Sequence, residues 1–144
     1  MNTTQTREVN IEMQIKAIEL LNSAIILPPN VNTPISNFNF NINIESKVDA
    51  SKNLMFVTVN VEIKNDDQSL TVGSISVRCI YEIFNFIEVI KIDNDGKVDL
   101  PAKLVETLNI ISISTTRGVM FSTFKGTFLH HAFLPIIDPK MLIS

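Results

Sequence analysis

The strongest constraint on the fold of this chain is a period-two alternation of apolar and polar residues. It is clearest between Met55 and Ile63, where apolar side chains stand at every second position with Thr58, Asn60 and Glu62 between them. Successive side chains of a β-strand point to opposite faces, so the pattern predicts a strand with one buried face and one polar face. Three further stretches alternate similarly, at residues 9–17, 38–44 and 75–83. Together they predict an antiparallel sheet.

The alternation is interrupted at three places. Its register slips at Ile18, which fits either one long strand with a bend or two short strands. Its parity changes at Gly73-Ser74, where a β-bulge is expected. Beyond Ile83, apolar residues occupy both faces as far as Ile92. A strand that is apolar on both sides must be covered twice, by the core and by a helix or a partner chain.

A helical spacing begins after Pro101. Leu104, Leu108 and Ile111 recur at three- and four-residue intervals, and proline is common in the first turn of a helix. The stretch 111–116 (ISISTT) fits a helix or a strand, since its β-branched residues also alternate. Strands followed by a helix indicate an α+β domain. We place this single domain at residues 9–144, after a flexible tail at residues 1–8.

Composition excludes several classes of protein. Hydrophobic residues make up 45% of the 144 residues, which is too many for an intrinsically disordered chain. Twelve Lys and Arg against 15 Asp and Glu give a net charge of −3, which argues against nucleic-acid binding through a basic surface. Mean hydropathy is positive, at +0.23, yet no apolar run of about 18 residues could span a membrane. A polar beginning of the chain and the single Cys79 predict a cytoplasmic protein.

The sequence carries no strong catalytic or metal-binding motif. His130 and His131 are adjacent, so both rings cannot easily reach one ion, and we expect no metal and no cofactor. Cys79 lies in an apolar alternating run and is expected to be a buried structural thiol. Glu106, on the predicted helix, is the one acid that could serve as the base of a small thioesterase-like enzyme. The chain is nevertheless expected not to be an enzyme.

Several segments, in their order, resemble the SecB-like export chaperones over residues 9–137. The most specific are 104–109 (LVETLN), 117–121 (RGVMF), 126–128 (GTF) and 134–139 (LPIIDP). Residues 40–45 (FNINIE) are similar to the family's second strand, and Cys79 falls where the family often has a cysteine. The resemblance implies a four-stranded antiparallel sheet with one main helix packed on one face, and it implies that 111–116 is helical. It also implies a homotetramer, a dimer of dimers, that holds unfolded client chains without ATP.

Two features set this chain apart from the family's export members. Asn39, Asn41 and Asn43 stand where those members carry acids that dock the translocation motor. The chain also ends soon after Asp138-Pro139, where the family has a last long helix. We therefore expect only weak electrostatic steering toward a basic partner segment, which puts docking to the motor in doubt. The client partner could instead be narrower, such as the antitoxin of a toxin–antitoxin pair.

The expected sites follow from the high fraction of apolar residues and from the resemblance. The residues expected to bind clients are Phe40, Ile42, Ile44, Phe84, Phe86, Phe121, Phe124 and Phe128, and Phe133 would add to the aromatic surface near the C-terminus. The residues expected at the oligomer interface are Leu104, Leu108, Ile111 and Val119. An alternative is a non-chaperone oligomeric scaffold in which the surplus apolar surface is all interface.

Overall fold

The computed structural model describes residues 10–29 and 34–138, and the predicted flexible tail lies outside them. Four long strands and one long helix dominate this part of the chain. In chain order the elements are β1 Met13–Ile25, β2 Asn39–Asp49, β3 Leu54–Lys64, β4 Thr71–Ile83, α1 Phe86–Val89, β5 Lys91–Ile92, β6 Val98–Asp99 and α2 Ala102–Phe124. The long strands form one antiparallel sheet in the order β1-β4-β3-β2, and β5 pairs with β6. The predicted α+β class, with a four-stranded sheet and one main helix, is confirmed.

The central strands follow the alternation of the sequence. Every second residue of β3 from Met55 to Ile63 is buried, and β4 buries Ile75, Val77, Cys79, Tyr81 and Ile83 in the same manner. Directly opposed residues of an antiparallel pair place their side chains on one face. The buried rows of β3 and β4 therefore share a face, on which α2 packs. We call this the helix side of the sheet and the opposite face the helix-free side.

Strand β1 is one long strand with two irregularities. Ile15 pairs with Tyr81 whereas Ala17 pairs with Ile80, so Lys16 is an extra residue in β1. Leu21 is a second extra residue, between Leu20 and Asn22. The two bulges flank Ile18, where the alternation slips in the sequence.

Strand β4 carries an irregularity of its own. Gly73 pairs with Ile63 and Thr71 pairs with Lys64, so Val72 is an extra residue. Val72 and Gly73 are both buried. The bulge thus lies beside the predicted position at Gly73-Ser74.

The prediction of a strand that is apolar on both faces after Ile83 is wrong. β4 ends at Ile83, and the single-turn helix α1 follows. One turn of helix buries Phe86 and Val89 and leaves Ile87 82% exposed. A run of apolar residues fits a short buried helix as well as a doubly covered strand, because periodicity alone does not separate them.

Helix α2 includes residues 111–116, as the resemblance implies. Most of its buried residues recur every four positions: Leu104, Leu108, Ser112, Thr116, Met120 and Phe124. Four residues advance the helix by one turn and about 40°, so this stripe winds around the helix. Its beginning packs in a cluster with Cys79 and Tyr81, and its end in a cluster with Val59 and Val77. Within the described part of the chain, no helix has the length and hydropathy needed to cross a membrane.

Candidate functional site

The helix side of the sheet is covered unevenly. α2 packs on the two central strands, β3 and β4, while β1 and β2 form the edges. Phe40, Ile42 and Ile44 of β2 lie opposite Ile63, Val61 and Val59, and so belong to the helix side. All three are half-buried and pack against the core cluster.

Strand β1 leaves more apolar surface open. On the helix side, Ile15, Ile18 and Leu20 lie opposite the buried row of β4, and Ile25 lies opposite the buried Gly73 beyond Ser23. We call Ile15, Ile18, Leu20 and Ile25 the β1 row. Their exposures are 44%, 49%, 48% and 43% respectively. A row of four half-exposed aliphatic side chains on one edge strand is typical of a surface that binds another polypeptide. The sequence does not distinguish these residues as a site, because nothing in the alternation shows which strand lies at an edge.

The aromatic residues expected to bind clients fall into two groups. Phe84, which follows β4, is 53% exposed, and Phe121 and Phe128 are 47% and 36% exposed. Phe86 and Phe124 are 4% and 1% exposed, because Phe86 of α1 packs into one core cluster and Phe124 ends the buried stripe of α2 in the other. These two side chains support the core of this chain, and we remove them from the proposed client surface.

Four rings cluster where α2 meets the segment that follows it. Phe121 stacks on Phe133 with 6.3 Å between ring centroids, and the ring of His130 is 5.5 Å from that of Phe121. His131 lies 4.8 Å from His130 and 6.4 Å from Phe133. We call these four residues the aromatic cluster. Phe121 and Phe133 are each about half exposed, so the cluster offers flat apolar surface beside polar ring edges.

The segment that carries the aromatic cluster is anchored to both the helix and the sheet. Arg117 of α2 donates hydrogen bonds from Nε to the carbonyl of Leu134 at 3.0 Å and from Nη2 to that of Pro135 at 2.9 Å. Leu129 and Leu134 are buried in the core. Leu129 lies over Gly73, which has no side chain to obstruct it. The aromatic cluster is therefore held in place and is not a free tail.

The structure changes the expected oligomer interface. Leu104 and Leu108 are fully buried between α2 and the sheet of the same chain, so they offer no surface to a partner. Helical spacing identified an apolar face of α2 correctly, but that face packs on the chain's own sheet. Ile111 and Val119 are partly buried and pack at the margins of the two core clusters. Of the four residues expected at the oligomer interface, only Ile111 and Val119 keep some exposed side-chain surface that a partner could contact.

The candidate catalytic and metal-binding residues are not brought into a shared site. Glu106 is partly buried on α2, and no side chain in the described ranges hydrogen-bonds its carboxylate. Cys79 is buried within β4. Across residues 10–29 and 34–138, no three His, Cys, Asp or Glu side chains form a group that could hold a metal ion.

Comparison with known proteins finds similarity among solved structures. No family model and no curated protein matches the sequence. Among solved structures, the chain is similar to Rv1957, a SecB-like chaperone of Mycobacterium tuberculosis, in complex with a ChAD peptide from the HigA1 antitoxin Rv1956. The match covers 88% of this chain and 91% of the other, with a TM-score of 0.54 and 17% sequence identity. The chain therefore has the fold of a SecB-like chaperone.

Proposed function

We propose that this protein is an ATP-independent holdase chaperone that binds unfolded polypeptide segments on the helix side of its sheet. The observation that carries the proposal is the exposed β1 row, which lies at the edge of the sheet beside a strand, β4, whose residues on the same face are buried. A holdase must bind many sequences reversibly. Apolar contact, at about 25 cal/mol per Å² of buried surface, is non-directional and suits that task.

Strand β2 supports the proposal with its backbone. It pairs with β3 over Asn39–Asp49 without a register shift, so its free edge presents a regular row of peptide groups. β1 is interrupted by bulges at Lys16 and Leu21, which blunt an edge against pairing. An extended client can therefore add to β2 by backbone hydrogen bonds, with apolar side chains beside Phe40 and Ile42.

The choice of client follows from charge and from the structural similarity. The similar chaperone was solved with a peptide from an antitoxin, which supports an extended segment of an antitoxin as the client class. Docking to a translocation motor is the weaker candidate, because Asn39, Asn41 and Asn43 bring no charge to β2. The aromatic cluster and Phe84 add flat apolar surfaces suited to a client's larger side chains.

Assembly into a homotetramer is part of the proposal. A second copy of the chain could cover some of the apolar area on the β1 row, with Ile111 and Val119 of α2 as further candidates. In that case the scaffold function, in which all surplus apolar surface is interface, becomes the competing explanation. The test must therefore report client binding and mass together.

The experiment measures how well the purified protein suppresses aggregation of a chemically unfolded substrate without ATP, with its mass determined by sedimentation. The double variant Ile18→Thr/Leu20→Thr removes the centre of the β1 row. Full burial of such a side chain is worth about 1.5–3 kcal/mol, so two half-exposed side chains leave about 2 kcal/mol for a client. The expected loss is therefore about thirtyfold in affinity.

Ile87→Thr is the matched control, because Ile87 is 82% exposed on α1, outside the β1 row. It should leave both protection and mass unchanged. A wild-type protein that assembles and protects no substrate would exclude the holdase and favour the scaffold. A double variant that changes mass but not protection would assign the β1 row to the subunit interface.

A further inference from the structure

The outer edge of β2 lacks the features that keep a sheet edge unpaired. Native edges are blunted by bulges, prolines or charged side chains that point inward. β2 contains no proline, and it pairs with β3 over 11 residues without a register shift. Its side chains on the helix side are all uncharged: Phe40, Ile42, Ile44, Ser46 and Val48. In the part of the chain that the structure describes, β2 has a neighbouring strand on one side only, so its other edge can accept a strand.

The charged side chains of β2 all lie in its second half, on the helix-free side. They are Glu45, Lys47 and Asp49, which alternate in sign at every second position. The first half of the strand carries a carboxamide at each matching position: Asn39, Asn41 and Asn43. One face of β2 therefore has an uncharged polar half and a charged half of equal length.

A two-fold axis at Ile44, the middle residue of β2, would pair the strand antiparallel with the same strand of a second copy over its whole length. Opposed residues share a face, so the helix sides of the two sheets would be continuous. Each charged side chain would then face a carboxamide of the other copy: Glu45 with Asn43, Lys47 with Asn41 and Asp49 with Asn39. Asn39 and Asp49 already hydrogen-bond within their own chain, so the two inner pairs carry the recognition.

The inner carboxamides retain the hydrogen-bonding groups that these pairs need. A carboxamide has two N–H donors and an acceptor oxygen, so it can face a charge of either sign. The Asn41 amide interacts with the Glu62 carboxylate of its own chain, which leaves its oxygen as an acceptor for Lys47 of the second copy. Asn43 Nδ2 is 3.5 Å from Glu45 Oε1 of its own chain, and its second N–H remains for the Glu45 of the second copy. Lys47 forms no ion pair within residues 10–29 and 34–138.

The apolar row of β2 matches itself about the same axis. Ile44 would face Ile44 of the second copy, and Phe40 would face Val48. These side chains are only half-buried in a single chain, so a second copy would cover apolar area that stays in contact with water. An axis one residue further along would instead oppose the two Glu45 carboxylates. The axis at Ile44 therefore pairs all of β2 without opposing like charges.

We propose that β2 pairs antiparallel with β2 of a second copy of this chain, about a two-fold axis at Ile44, and joins the two sheets into one. Each chain has one such strand, so this contact closes at two copies. The inference does not depend on the holdase function, and it uses the edge opposite the β1 row. A client strand would have to displace the second copy from β2, so self-pairing controls access to this edge.

The first experiment tests the axis by oxidative cross-linking of Ile44→Cys and Ile42→Cys. Across the axis the Cβ atoms of residue 44 lie about 5 Å apart, close to disulfide distance. The two copies of residue 42 are offset by four positions, or about 13 Å. Ile44→Cys should therefore give a covalent dimer and Ile42→Cys none, while the fully buried Cys79 takes no part in either variant. No dimer from Ile44→Cys, or equal linking of both variants, overturns the inference.

The second experiment measures self-association by sedimentation over a range of concentrations. Asn43→Asp places a carboxylate opposite Glu45 on both sides of the axis and should weaken association about fivefold, as expected for two exposed like-charge pairs. The double variant Asn43→Asp/Glu45→Lys turns both into opposite-charge pairs and should restore the wild-type affinity.

Asn22→Asp is the matched control, because Asn22 is exposed on the helix-free side of the other edge strand, β1. It should leave association unchanged, and both single variants should keep the wild-type melting temperature. A monomeric wild type, an equal effect of Asn22→Asp and Asn43→Asp, or no recovery in the double variant would each refute pairing through β2. No client is present, so these outcomes are independent of the aggregation assay that tests the holdase.

Discussion

Gly73 offers a sharp test of how the segment after α2 is attached to the sheet. A Cβ at this position would lie 2.6 Å from Leu129 Cδ1 and 3.3 Å from the carbonyl oxygen of Ala24. Leu129 is 1% exposed and cannot turn into solvent, so Gly73→Ala forces its methyl group to move by most of an ångström. Overpacking of this kind costs about 1–3 kcal/mol, and the melting temperature should fall by about 3–8 °C.

The assay is urea unfolding of four proteins: wild type, Gly73→Ala, Leu129→Ala and the double variant. Leu129→Ala alone should cost about 2–5 kcal/mol, because it leaves a cavity in the core. The double variant should cost about 1–2 kcal/mol less than the sum of the singles, since the new methyl group occupies part of the vacated space.

Gly118→Ala is the matched control for this series. A Cβ there meets nothing within 4 Å, and the residue lies inside α2, so alanine should be neutral or stabilise by up to about 1 kcal/mol. The reasoning is refuted if Gly73→Ala is no more destabilising than Gly118→Ala. It is equally refuted if the effects of Gly73→Ala and Leu129→Ala simply add.

Two further predictions concern hydrogen bonds in the fold. The Tyr81 and Ser112 hydroxyls are 2.7 Å apart in the core, so Tyr81→Phe would leave Ser112 without its partner. The variant should lower the free energy of unfolding, measured in urea, by about 1–2 kcal/mol. An unchanged free energy of unfolding would contradict this. The backbone N–H of Asn37, with the N–H and hydroxyl of Ser36, keeps the pKa of Asp66 below its ordinary value of 3.8. The stability that the ionised carboxylate gains from these hydrogen bonds is therefore present above pH 4 and is lost as the pH falls through the lowered pKa. The stability difference between wild type and Asp66→Asn should therefore shrink at acidic pH in urea titrations, and a difference independent of pH would exclude the effect.

The sequence predicted the central part of the fold well. In β3 and β4 the polar face and the apolar face alternate cleanly, and a strand is the local structure that separates them. Proline near the start of α2 and the spacing of Leu104 and Leu108 predicted a helix there. The stretch 111–116 remained open from propensity alone. Its helical form reflects packing, since Ser112 and Thr116 are buried against the sheet.

The site was predicted less well, because burial depends on neighbours that are distant in sequence. In the sequence, nothing separates apolar residues that will be buried from those that will stay exposed. Four of the residues expected at the surface pack in the core of their own chain: Phe86, Phe124, Leu104 and Leu108. The β1 row was not selected at all. Its residues alternate like those of any half-buried strand, and only the strand order shows that β1 has a neighbour on one side.

The sequence by itself determined which residues share a face of each strand and helix, since the periods of two and 3.6 residues are local properties of the backbone. It also determined that the chain has a larger fraction of apolar residues than a disordered or highly charged protein. Only the tertiary structure decided which apolar faces are covered. Strand order placed β1 at an edge, α2 covered β3 and β4, and the bulges at Lys16 and Leu21 set which residues of β1 form the β1 row. Coverage is a relation between elements far apart in the chain, so no local pattern encodes it.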